Sequence, residues 1–337
     1  GGKARLCYSA ELEKVGMAAA LSTTRYDMRA ATVGKYALFA GGYISKSSFG
    51  YSVSSSVDAY NTSLTKSTPT ELSCKRCGHA AASVGGYALF AGGASSYNLL
   101  NFYENLVSAV DAYDASLTRS AAHIIGATVA IGGAAVGNYA LFAGGTVYSQ
   151  INKDNVTSDV LAYDPSLTFT TAPLLSVARA NVKGASAGNY ALFAGGRAGS
   201  FCTTVDAYNA SLTRTTATAL SSTKNNSAAA TVGNHAIFVG NTASADIYDA
   251  SLTKTSAAIL STARTGLAAT TVGDYAIFSG GGVADFCDAS LTRSSIGTSM
   301  TGYDMGAATI GDYALFAGGY SDEKSVTTYD SVEVYTA

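Results

Sequence analysis

Five cations recur at one register of this sequence. Arg25, Arg76, Arg179, Lys224 and Arg264 each stand nine residues before a glycine (Gly34, Gly85, Gly188, Gly233 and Gly273), and the same register elsewhere holds Thr128 and Gly302. A planar guanidinium fork matches a carboxylate, sulfate or phosphate bidentately, so five such groups brought together would suit an anion. The same groups equally suit backbone carbonyls of a neighbouring unit, and that structural alternative stays open. A second basic register, Lys14, Lys66, Arg119, Arg214, Lys254 and Arg293, reads as solvated charge on outer strands that discourages edge pairing. Asp58, Asp111, Asp206, Asp246 and Asp285 recur too regularly for a catalytic pair and read as partners of adjacent strands.

Other candidate chemistry is thin. Gly184-Ala-Ser186-Ala-Gly188 matches G-x-S-x-G, but it lies where a strand enters a hairpin rather than a helix, so Ser186 is not expected to be a nucleophile. Cys74, Cys77 and His79 offer three soft ligands without a second pair to complete four-coordinate zinc. His79, His123 and His235 are the only histidines, and His235 takes a place that Tyr holds in the other copies. The A-G-G strings lack the Lys-Ser/Thr of a phosphate loop. No metal, cofactor or catalytic residue is expected from these patterns. Asp27, Asp304 and His79 are the acid/base groups nearest the first basic register.

Composition narrows the classes. Of 337 residues 47% are hydrophobic, too many for a disordered chain, and no apolar run approaches the ~18 residues of a membrane helix. Charged residues make up 13%, about half the ~25% usual in globular domains. A net charge of −2 gives nucleic acid or an anionic membrane no long-range attraction. Five scattered cysteines do not form a disulfide framework. Residues 1–6, GGKARL, precede no signal-peptide apolar core, and the chain reads as a processed product or a module cut from a longer array.

The elements that would position these residues come from a repeat. YALFAGG from Tyr36 recurs from Tyr87, Tyr139, Tyr190 and Tyr313, and as HAIFVGN from His235 and YAIFSGG from Tyr275, at steps of 38 to 52 residues. An Ala/Thr/Val run precedes each copy, and VDAY-like segments from Val57, Val110, Val160, Val205, Ala245, Ala284 and Val332 follow. Short stretches rich in β-branched and aromatic residues, bounded by Gly, Asn, Asp and Ser, predict strands. Gly-Asn or Gly-Asp suits a primed turn between the first two, and Asp/Asn-Ala-Ser suits a turn capped by its own side chain before the fourth, the S-L-T-K/R stretch. Four antiparallel strands, seven times over, predict an all-β propeller of seven blades. The boundaries are about 25–72, 76–125, 126–176, 179–220, 224–260, 264–300, and 302–337 plus 3–21. The alignment of residues 8–14 with 248–254 predicts that both termini close the last blade. LCY (6–8) and VEVY (332–335) compete for its third strand.

This pattern of apolar strand, hhhhGG, variable loop, hxhYD and final strand resembles the kelch repeat over almost the whole chain, and ~50 residues per unit agrees. It departs from it in having no Trp, so tyrosines and Phe/Leu must fill the space between blades. In kelch propellers that recognise acidic peptides, arginines at the first basic register line the pocket. The resemblance therefore implies an anion-accepting mouth formed by Arg25, Arg76, Arg179, Lys224 and Arg264.

Loops between the second and third strands are long at residues 43–56, 94–109, 146–159, 197–204 and 320–331 and short in repeats five and six, whereas the opposite turns hardly vary. Function is expected on the variable face. Its aromatics, Tyr43, Phe49, Tyr51, Tyr97, Phe102, Tyr103, Tyr148, Phe201 and Tyr320, suit stacking on sugar rings or a protein partner, or pinning of their own loops. The expectation is a non-enzymatic recognition platform for a protein segment or glycan, acidic if the basic ring is exposed. An isomerase or lyase acting on an acidic sugar, and a structural module of a larger surface or virion assembly, are the alternatives. Low charge with abundant Ser, Thr, Ala and Gly resembles secreted bacterial or phage-associated repeat proteins.

Overall fold

The computed structural model describes residues 12–46, 50–98, 102–147, 155–224, 227–321 and 327–337. Within them the chain is all β: eight four-stranded antiparallel sheets and one two-stranded sheet. Seven of the four-stranded sheets each carry one copy of the repeat. Repeat one lays Arg29–Val33, Tyr36–Ala40, Val57–Asn61 and Lys66–Ser67 side by side in that order. Repeat four does the same with Lys183–Ala187, Tyr190–Ala194, Val205–Asn209 and Arg214–Ala217. In repeat seven, Gly306–Ile310, Tyr313–Ala317 and Val332–Thr336 are completed by Glu13–Ala18 from the other end of the chain, paired from Glu13↔Thr336 to Ala18↔Val332. Val332–Thr336 thus supplies the third strand of that sheet; residues 6–8 lie outside the described residues.

Two turns set the local geometry. Gly34 and its six counterparts take the first position of a two-residue hairpin loop with φ between +51° and +55°, which a side chain would strain. At the second turn the Asp114 carboxylate accepts the Ser116 and Thr118 amides at 2.8 and 2.9 Å, and Asn61, Asp164, Asn209, Asp249 and Asp288 repeat this. A Cβ on Gly188 would lie 2.5 Å from Ala250 Cβ in the next repeat, and one on Gly311 of repeat seven would lie 3.2 Å from Thr62 of repeat one.

Alternation in Y-A-L-F-A directs Leu to one face of each sheet and Phe to the other, so both faces are buried. Leu38 of repeat one packs with Phe90 and Tyr113 of repeat two. Leu89 of repeat two packs with Phe142 and Tyr163 of repeat three. The series continues until Leu315 of repeat seven packs with Phe39 and Tyr60 of repeat one. The Phe and Tyr rings meet edge to face, as in Phe39–Tyr60 at 5.9 Å and Phe316–Tyr335 at 5.7 Å, and take the volume that no Trp supplies. The innermost strands of successive repeats are neighbours, and Gly306–Ile310 also contacts Arg29–Val33. The arrangement is consistent with a β-propeller.

Hydroxyls on the innermost strands link the repeats. Ser83 donates to Thr32 O, Thr32 to Thr309 O, Thr309 to Thr271 O, Thr271 to Thr231 O, Thr231 to Ser186 O and Ser186 to Ala135 O. Ala135 lacks the hydroxyl that would continue the series. Ser186 is therefore committed to strand-to-strand bonding. The eighth sheet lies outside the repeat: the long loops of repeats one and two form Tyr43–Lys46, Gly50–Val53, Ala94–Asn98 and Phe102–Leu106 and pair across repeats.

Candidate functional site

The five repeated cations do not form an open mouth. Arg25, Arg76 and Arg179 are fully buried, Lys224 is buried and Arg264 nearly so. Each is paired with the aspartate of its own repeat: Arg25 with Asp58, Arg76 with Asp111 at 2.5 Å, Arg179 with Asp206 at 2.9 Å, Lys224 with Asp246 at 3.4 Å and Arg264 with Asp285. Most of their remaining donors reach carbonyls of the same repeat, though the Nε of Arg25 and of Arg264 finds no partner; Arg179 donates to Phe193 O, Gly195 O and Val177 O. The physical reason is compensation. An aspartate on the third strand of a sheet buried on both faces needs a counter-charge, and the connection entering the repeat supplies it. Burial holds Arg25 below its usual pKa against the opposing effect of Asp58.

The outer basic register is likewise engaged. Arg119, Arg214, Lys254, Arg293 and Lys66 approach the second carboxylate oxygen at 2.9, 3.4, 3.7, 3.6 and 3.9 Å. Each aspartate therefore lies between a buried and a partly exposed cation. A serine before the inner cation adds amide and hydroxyl donors, as Ser176 does to Asp206. Repeat three has replaced the set together: Thr128, Leu161 and Phe169 occupy its three places. In repeat seven Glu333 replaces Asp, receiving Lys14, Ser299 and Tyr335. Burial alone would raise the Glu333 pKa, but these donors outweigh it and hold the carboxyl below its usual range.

The other sequence candidates divide. Cys77 is buried and its thiol is pushed up to about 12, chiefly by burial. His79 is fully buried at a position where other repeats carry Met28, Ile131, Val182, Leu267 and Met305 and, in repeat five, Ser227; burial, then the charges of Arg76 and Arg29, lower its pKa well below the usual value. It is a core residue rather than an acid/base group at a surface. Among the described residues no three His, Cys, Asp or Glu side chains gather as metal ligands.

The aromatics do converge. Tyr26 stacks on Tyr43 at 5.1 Å and lies 4.9 Å from Tyr320, Tyr43 lies 5.2 Å from Tyr51, and Tyr51 lies 5.2 Å from Tyr97. Tyr303 extends the group, 6.1 Å from Tyr320. Tyr26 and Tyr43 are buried; Tyr51, Tyr97 and Tyr320 are half-buried. Phe201 is exposed and belongs to the two-stranded sheet of repeat four. Phe49 and Tyr148, and the side chains of Phe102 and Tyr103, lie outside the described residues. Sequence reasoning missed Tyr26 and Tyr303, although both directly follow the first basic register and pair with Tyr43 and Tyr320.

Two residues beyond Tyr26 and Tyr303, Met28 and Met305 enter the wall of a cavity of about 280 Å³ lined by the innermost strands of all seven repeats. Asp27, Ala130, Asn181 and Asp304 adopt φ of 50–59° just before those strands. Their amides join neighbouring repeats: Asp27 donates to Asp304 O at 2.7 Å, Asp304 to Gly266 O at 2.8 Å, and Asn181 to Ala130 O at 2.8 Å. Arg29, which follows in the cavity wall, is held by Asp27 at 2.7 Å and by His79 O at 2.9 Å. The surface thus joins aromatic faces to a small polar mouth, on the side where loop length varies most.

No protein-family model matches this chain, and no curated protein matches it.

Proposed function

We propose that the chain is a seven-bladed propeller of kelch type, closed by both termini, that serves as a non-enzymatic recognition platform for a protein segment or a glycan. Closure is supported by contacts that run from each repeat to the next and from the seventh back to the first. The observation that carries the function is the convergence of Tyr26, Tyr43, Tyr51, Tyr97 and Tyr320 from three repeats beside the axial mouth, under loops that build a sheet of their own. Partly exposed tyrosines present rigid apolar faces with a polar tip, which suits stacking on sugars or packing on a partner. The buried arginines contribute by fixing the connections that carry Tyr26 and its neighbours.

The test is a glycan and peptide array probed with the wild-type chain and with the Tyr51→Ala/Tyr97→Ala variant. Binding that falls at least tenfold in the variant, with an unchanged circular dichroism spectrum, supports the reading. Equal binding by both, or turnover of an acidic sugar in place of stable binding, would overturn it. The second outcome favours an isomerase or lyase, for which Asp27 and Asp304 at the mouth are the acid/base candidates.

A further inference from the structure

Of the seven residues that open the innermost strands, Ala80, Gly132, Ala228, Ala268 and Gly306 are small, and Arg29 and Lys183 are long cations. Both cations line the axial cavity. Arg29 already holds Asp27 and a backbone carbonyl. Lys183 comes from repeat four and shares the cavity wall with Arg29 of repeat one, within electrostatic reach of Asp27 and Asp304; among the described residues its ammonium makes no hydrogen bond or ion pair. Burial, and next the Arg29 charge, push its pKa down, with Asp27 and Asp304 opposing. A partly buried ammonium with no partner, set in the wall of a cavity beside a second cation, is unfavourable, and a bound anion between it and Arg29 would relieve the repulsion.

We infer that the mouth of the axial cavity is a carboxylate site, with Lys183 as its principal ligand and Arg29 beside it. The two flanking aspartates disfavour a dianion such as phosphate, and walls of Ala and Gly leave room for a small planar head group. The inference deepens the proposed function and rests on its reading of this face as the binding face. The carboxylate belongs either to a free small acid or to an acidic group on the larger ligand.

Thermal unfolding of the full chain in acetate, phosphate and chloride at equal ionic strength tests the site without needing the larger ligand. Acetate is expected to raise the wild-type Tm above its value in chloride by about 2–4 °C, because a ligand that binds only the folded state stabilises it. Lys183→Met should remain folded and lose that rise, while Lys183→Arg keeps most of it. Equal response of wild type and Lys183→Met, or no advantage of acetate over chloride and phosphate, would overturn the inference. Methyl esterification of an array ligand then identifies the source. Loss of wild-type binding places the carboxylate on that ligand; unchanged binding, with the acetate effect intact, assigns the cavity to a free acid. Failure of the acetate test with binding still dependent on Tyr51 and Tyr97 would remove the carboxylate site and leave the platform.

Discussion

At the scale of single residues, the chain concentrates its few charges where they are most expensive to separate. Asp206 sits between buried Arg179 and partly exposed Arg214. Asp206→Ala should cost about 3–5 kcal/mol, because it leaves a buried guanidinium uncompensated. Arg214→Ala, which removes the solvent-side partner, should cost no more than about 1 kcal/mol. Urea denaturation of both variants measures the difference. Repeat three supplies a further experiment, since its Thr128, Leu161 and Phe169 show a copy with no such charges. Transplanting them as Arg179→Thr/Asp206→Leu/Arg214→Phe should give a more stable protein than Asp206→Ala alone, because no ion is left unpaired. His79 has the opposite character, a titratable group in an apolar place. Its folded-state pKa is depressed, so below about pH 6.5 the unfolded chain takes up a proton that the folded chain refuses. Stability should fall on acidification through that range, with up to about 1.4 kcal/mol per pH unit from this group, and His79→Met should flatten the profile of unfolding free energy against pH.

At the scale of elements, the hairpin glycines and the series of hydroxyls decide how closely repeats approach. Gly188→Ala should destabilise, since its φ is +51° and the added carbon would meet Ala250 Cβ at 2.5 Å, whereas Gly86→Asn, at a position with open space, should be neutral or slightly stabilising. Ala135→Ser should add a donor toward Ser83 O and raise stability by about 0.5–1 kcal/mol, read from a denaturant midpoint shift at constant m. Strands and turns were legible because their signals are local. Alternation in Y-A-L-F-A, glycine at a positive φ and an Asx turn each act within a few residues. The site was less legible. The register of Arg25, Arg76 and Arg179 was visible, but whether it opened to solvent or closed on Asp58, Asp111 and Asp206 depended on the depth of the third strand, which spacing does not encode. Lys183 escaped notice because five of the seven places in its register are filled by Ala and Gly, and only the convergence of the innermost strands turns that position into a cavity wall.

At the scale of the whole molecule, the join between Glu13–Ala18 and Val332–Thr336 carries unusual weight. Deleting residues 1–18 should expose the edge of Val332–Thr336 and leave buried Glu333 without Lys14, giving a lower unfolding temperature and concentration-dependent association detectable by light scattering. The pairing also has a mechanical side. Glu13 lies opposite Thr336, so the first residue of one strand and the last of the other sit at the same end of the ladder. Tension applied by handles on the two chain ends would load these bonds one after another, as in opening a zip, rather than shearing them all at once. A sheet joined in this way should resist heat far better than it resists being pulled apart by the chain ends.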